Sequence, residues 1–86
     1  MLPKVIELSV MPERRLNVCF SDGVSGVVEM DEKSFFGIFE PLHDPHYFAQ
    51  AYLEHGAVTW PNGADLAPDA MHDALRNTGF WLIRQE

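Results

Sequence analysis

The chain has 86 residues, with 13 acidic against 6 basic side chains and a formal charge of −7. That is the length of one domain, and its basic residues, Lys4, Arg14, Arg15, Lys33, Arg76 and Arg84, are scattered. Direct nucleic-acid binding, which needs a clustered basic face to displace phosphate counterions, is therefore disfavoured.

Apolar residues make up 47% of the chain and aromatic residues 12%, enough for a packed core and too much for intrinsic disorder. Per-residue scaling gives a modest stability of about 4–13 kcal/mol. Cys19 is the sole cysteine, which excludes an intrachain disulfide and a four-cysteine metal site. No run of about eighteen apolar residues is present to span a membrane, and the N-terminus lacks the apolar core of an export signal. These features point to the cytoplasm.

Val5 to Met11 alternates, with Ile6, Leu8 and Val10 on one face and Glu7 and Ser9 on the other, the pattern of a half-buried strand. Pro12 and Glu13 interrupt it, and Leu16, Val18 and Phe20 resume it, with Cys19 in the strand interior as a half-buried thiol. Ser21-Asp22-Gly23 supplies a turn into a third run through Val24, Val28 and Met30. The three runs read as an antiparallel meander. Gly26 marks either a bulge or a place where another backbone comes close.

From Asp31, Phe35, Phe39 and Leu42 recur at helical intervals, with Asp31 or Ser34 able to cap and Gly37 weakening any long helix. One to two irregular turns over the open end of the sheet are expected. Asp44-Pro45 is a helix-start signal, and Pro45 to Phe48 reads as a single turn. The string His43-Asp44-Pro45-His46 is not a recognised ligand spacing, so it reads as a solvated loop with a capping aspartate rather than a metal site.

Gln50 to Glu54 alternates again, and His55-Gly56 reverses into Ala57 to Trp60, a second hairpin expected to join the meander. The stretch VTWPNGADL, Val58 to Leu66, is the one that reads as a signature. Trp60 shares a strand face with Val58 as a core anchor, Pro61-Asn62-Gly63 ends the strand, and Asp65 precedes a helix start at Pro68. This is a strand-to-helix corner, and its residues Trp60, Asn62, Gly63 and Asp65 are the candidate binding residues. Pro68 to Arg76 then reads as a short amphipathic helix with Met71 and Leu75 inward, and Asp69, His72 and Asp73 in solvent. Asn77-Thr78-Gly79 stops it.

Phe80-Trp81-Leu82-Ile83 is a concentrated apolar tail that is docked on its own domain, paired as an extra strand, or buried in a homodimer. These four are the candidate interface residues.

Phe20-Ser21-Asp22-Gly23, Leu42-His43-Asp44-Pro45 with Phe48, and above all Trp60-Pro61-Asn62-Gly63-Ala64-Asp65-Leu66-Ala67-Pro68 together resemble the bacterial domain-of-unknown-function family 2442. The resemblance covers roughly Val5 to Leu75 and implies a small α+β fold with a meander sheet and a helix, without an established enzymatic activity. Some relatives resemble the N-terminal half of longer proteins carrying a helix-turn-helix, and others are encoded beside small partners in toxin–antitoxin-like pairs; no helix-turn-helix follows Arg76 here.

The expected architecture is thus one α+β domain over 1–86, with a family-like core at 5–76 and an apolar tail at 77–86. It comprises a three-stranded antiparallel meander, a second hairpin, short helical turns and a C-terminal helix. No catalytic residue set, metal site or cofactor motif stands out. The leading functional expectation is a non-catalytic protein-interaction or regulatory module, antitoxin-like, with a small basic partner or a second copy of itself. Its alternatives are a small-molecule or enzymatic site at the Trp60, Asn62 and Asp65 corner, and an accessory part of a DNA-binding regulator.

Overall fold

The computed structural model describes residues 3–84, so Gln85 and Glu86, the end of the expected 77–86 tail, lie outside the described residues. β1 (Val5–Met11), β2 (Arg15–Phe20) and β3 (Ser25–Met30) pair antiparallel in sequence order, as the alternation predicts. The expected inward face of β1 differs at two points, since Val10 is 38% exposed near the end of the strand and Ile6 has left that face. The register slips between Val5 and Glu7, so Ile6 is an extra residue and stands 55% exposed while Val5 is buried. A bulge reverses the facing of what precedes it, which puts Val5 opposite Phe20, while Leu8 and Val10 keep their expected places opposite Val18 and Leu16.

Two short 3-10 turns, Glu32–Ser34 and Gly37–His43, cover one end of the sheet. Asp31 caps the first by accepting from the Lys33 amide at 2.9 Å. Asp44 caps the single helical turn α1 (Pro45–Phe48) by accepting from the His46 amide at 2.9 Å. Pro45 sits at the start of that turn, where its missing N–H is harmless.

β4 (Tyr52–Glu54) and β5 (Ala57–Thr59) form the second hairpin, reversed by the left-handed pair His55 and Gly56. It stays a separate two-stranded sheet and does not join the meander. An isolated hairpin is marginal in water. This one is held by burial of Val58 and Trp60 and by a bond from the Val5 amide to the Gly56 carbonyl at 3.0 Å.

α2 (Pro68–Thr78) buries Met71 and Leu75 at a spacing of four and ends on Gly79, left-handed at φ 75°. β6 (Phe80–Ile83) then returns beside β3 in parallel and extends the meander to the order β1-β2-β3-β6. Parallel neighbours require a long crossover, and here it runs from the covering turns through the second hairpin and ends in α2. Of the placements open to the apolar tail, the extra strand is the one adopted. The core lies between the inner sheet face (Leu16, Val18, Phe20, Val28, Met30), α2, and Leu42, Phe48 and Trp60 of the covering segments.

Candidate functional site

The signature corner is built inward. Trp60 is fully buried, its indole N–H donates to the Phe48 carbonyl at 3.0 Å, and the Phe48 ring lies 5.8 Å away. The indole therefore has no free face to offer a ligand, and its place is that of the expected core anchor. Pro61, Asn62 and Gly63 form a tight turn closed by bonds from the Gly63 amide to the Trp60 carbonyl and from the Trp60 amide to the Ala64 carbonyl. Gly63 takes φ 90°, where a side chain would be strained. Asn62 uses both ends of its amide: Oδ1 accepts from the Ala64 amide at 3.1 Å, and Nδ2 donates to the Ile38 carbonyl at 2.8 Å. Asp65 remains exposed.

The bond from Asn62 to Ile38 ties the corner to the start of the second 3-10 turn. There Phe36 and Ile38 stand 54% and 52% exposed, flanking Gly37 at φ 59°. Neither side chain belongs to the Phe35, Phe39 and Leu42 face that helical spacing picks out. Their signal was present as a surplus: Phe35, Phe36, Ile38 and Phe39 are more large apolar residues than one face of a short turn can bury.

Asp65, Trp81 and Ile83 come together around a second feature, a cleft of about 210 Å³ whose other walls are Met30, Ser34, Phe39, Leu66, Ala67 and Ala70. Trp81 is half-buried there. Buried Ser34 braces one end, its hydroxyl donating to the Ile83 carbonyl at 2.9 Å. Alternation along β6 sends Phe80 and Leu82 to the opposite face of the sheet, and Trp60, Asn62 and Gly63 do not line the cleft.

A larger groove of about 560 Å³ opens at the other end of the covering layer, between the β1–β2 turn and α1, lined among others by Val10, Arg14, Glu32, Leu42, His43 and Phe48. Arg14 Nε donates to the Met30 carbonyl at 3.2 Å, and His43 packs edge-on against Phe35 with ring centroids 5.0 Å apart. Among the described residues no group of three or more His, Cys, Asp or Glu side chains is assembled to hold a metal ion.

One polar pair joins distant parts of the chain. His72, expected in solvent, packs its ring edge-on against buried Phe20 and donates from Nε2 to Asp22 Oδ2 at 2.8 Å. The bulk of Phe20 beneath α2 covers the ring, and the β2–β3 turn reaches over to it. The His72 hydrogen bond, helped by the Val24 amide, holds the Asp22 carboxyl below the ordinary aspartate value.

No helix among the described residues is long and apolar enough to cross a membrane. Comparison with curated proteins and with solved structures gives no match. A family model described as "Protein of unknown function (DUF2442)" matches residues 5–77, a stretch that holds the meander, the covering turns, the corner and all but the last residue of α2. The chain therefore belongs to the DUF2442 family.

Proposed function

We propose that this domain is a non-catalytic interaction module that docks a small basic partner protein around Phe36 and Ile38, in a regulatory, antitoxin-like role. The observation that carries the reading is the exposure of these two neighbouring side chains at the start of a turn fixed by the bond from Asn62 to Ile38. Exposed apolar groups on a fixed turn are preorganised, so binding costs little further ordering entropy. The charge of −7 favours encounter with a basic surface.

The test is a native pull-down with tagged protein, paired with light scattering for mass, on the wild type and on a Phe36→Ser, Ile38→Ser double variant. A stoichiometric basic partner retained by the wild type and lost by the folded double variant supports the reading. Equal capture by both proteins, no capture, or a self-dimer alone overturns it.

A second reading, small-molecule binding, draws support from the larger groove, whose volume falls in the range of small-ligand sites. A ligand screen by thermal shift addresses it, with Leu42→Ala as a groove variant; no stabilising compound, or one that acts equally on the variant, removes that support.

A further inference from the structure

We infer that the cleft between Asp65 and Trp81 receives a single cationic side chain, an arginine or lysine carried by the basic partner; this inference rests on the reading of the domain as a partner-binding module.

The size, the walls and the charge of the cleft agree. A volume of about 210 Å³ is below that of a typical small-ligand site and suits one long side chain. Met30, Phe39 and Leu66 give the cleft apolar walls, against which the methylene stem of a lysine or arginine is buried while its charged head stays near water. The half-buried indole of Trp81 supplies an aromatic surface of the kind that attracts cations.

The sign of the ligand follows from the ionisable groups. Among the described residues Asp65 is the only ionisable one lining the cleft, and no basic side chain lines it. The ion pairs among the described residues engage Glu13, Asp22, Asp31 and Asp73 and leave Asp65 out. The start of α2 lies beside the cleft through Ala67 and Ala70, and a helix start attracts anions. Here Pro68 contributes no N–H and Asp69 adds a second carboxylate to the first turn, so the local balance favours a cation.

The cleft also adjoins the apolar knob along the chain: Phe39, one of its walls, donates its amide to the Phe36 carbonyl at 3.1 Å. A partner segment with an apolar residue close to an arginine or lysine would engage both features.

The experiment is a ¹H–¹⁵N NMR titration of the full chain with N-acetyl-arginine amide, and with N-acetyl-citrulline amide as its neutral isostere, on the wild type and on Asp65→Asn. Asp65 is exposed, so the variant retains the fold, which its own spectrum verifies. The expected result is saturable shifts of the Trp81 indole N–H and of amides 65–70 with the arginine probe. The citrulline probe and the Asp65→Asn variant should each weaken binding roughly threefold to tenfold, and added salt should weaken it too. Equal response to the two probes, unchanged affinity in Asp65→Asn, or shifts confined to the larger groove overturn the inference. A silent arginine probe beside a partner captured through Phe36 and Ile38 defeats the cleft alone. Arginine binding with no captured partner defeats the partner reading alone.

Discussion

Gly26 of β3 and Gly79 at the end of α2 meet backbone to backbone: a methyl group on Gly26 would lie 2.3 Å from the Gly79 carbonyl oxygen and 2.9 Å from Leu75 Cδ2. The same carbonyl accepts from the Val27 amide at 3.1 Å. A glycine inside a strand weakens it unless a close approach requires the missing side chain, and here the end of α2 occupies that space. Gly26→Ala is expected to destabilise the fold by about 1–3 kcal/mol through overpacking, read as a lower urea midpoint. An unchanged midpoint would mean that α2 does not seat on β3 in this way.

Trp60→Ala should cost about 3–5 kcal/mol, because it empties the largest fully buried position. That is comparable with the whole stability expected of a chain this size, so the variant is expected to melt broadly or not fold. Trp60→Phe keeps most of the apolar volume but leaves the Phe48 carbonyl without its indole donor, at a cost of about 1–3 kcal/mol. Equilibrium unfolding of the Phe variant separates packing from the hydrogen bond; a loss equal to that of Ala would contradict this division.

The pair of Asp22 and His72 gives stability a pH dependence of defined sign. Folding lowers the Asp22 pKa, so its contribution is fully present above the unfolded carboxylate value of about 3.9. It is lost as pH falls through the lower folded value. Wild type should therefore melt above Asp22→Asn at pH 5–6, and the gap should close in strong acid. A gap that stays constant from pH 6 down to pH 2 would show that the carboxylate charge is not what links turn and helix.

β6 is an edge strand, and its exposed side is partly blocked. The Thr78 hydroxyl lies 2.9 Å from the Phe80 carbonyl, a donor distance, and 3.4 Å from the Phe80 amide, at the position where a further strand would pair. Phe80 is itself 44% exposed. Thr78→Val removes the hydroxyl and frees an edge beside an apolar side chain, a combination that invites strand addition. The expected outcome is concentration-dependent self-association by light scattering, with little change in melting of the dilute protein. A strictly monomeric variant at high concentration would show that the hydroxyl does not guard the edge.

The parts of this fold that were legible in the sequence are those whose spatial neighbours are also chain neighbours. Asp44-Pro45 announced α1, His55-Gly56 the tight reversal, and Pro61-Asn62-Gly63 the end of the strand carrying Trp60. Strict alternation concealed the Ile6 bulge, because the pattern reads equally well with Val5 or Ile6 inward until a partner strand fixes the register. Phe80-Trp81-Leu82-Ile83 is apolar on both faces, so periodicity alone named neither its partner nor its direction. His72 sits on a polar-looking helix face, and only the long-range approach of Phe20 and Asp22 covers it. The cleft was illegible for the same reason: Asp65 and Trp81 are far apart in the chain, and their meeting depends on Phe39 and on the crossover that returns β6 to β3.

That return has a consequence for the chain as it is made. Val27 pairs with Phe80, so the residues that complete the sheet are synthesised long after the strand they complete. A nascent chain emerging N-terminus first can form the meander and much of α2 while β3 still has a bare edge, and contacts between such distant segments close slowly. During that interval the same edge can accept any extended segment that arrives before residues 80–83. The family match stops at residue 77, just short of the strand that ends this exposure. β6 is thus the last piece of the sheet to arrive, and until it does the edge of β3 stays open to pairing.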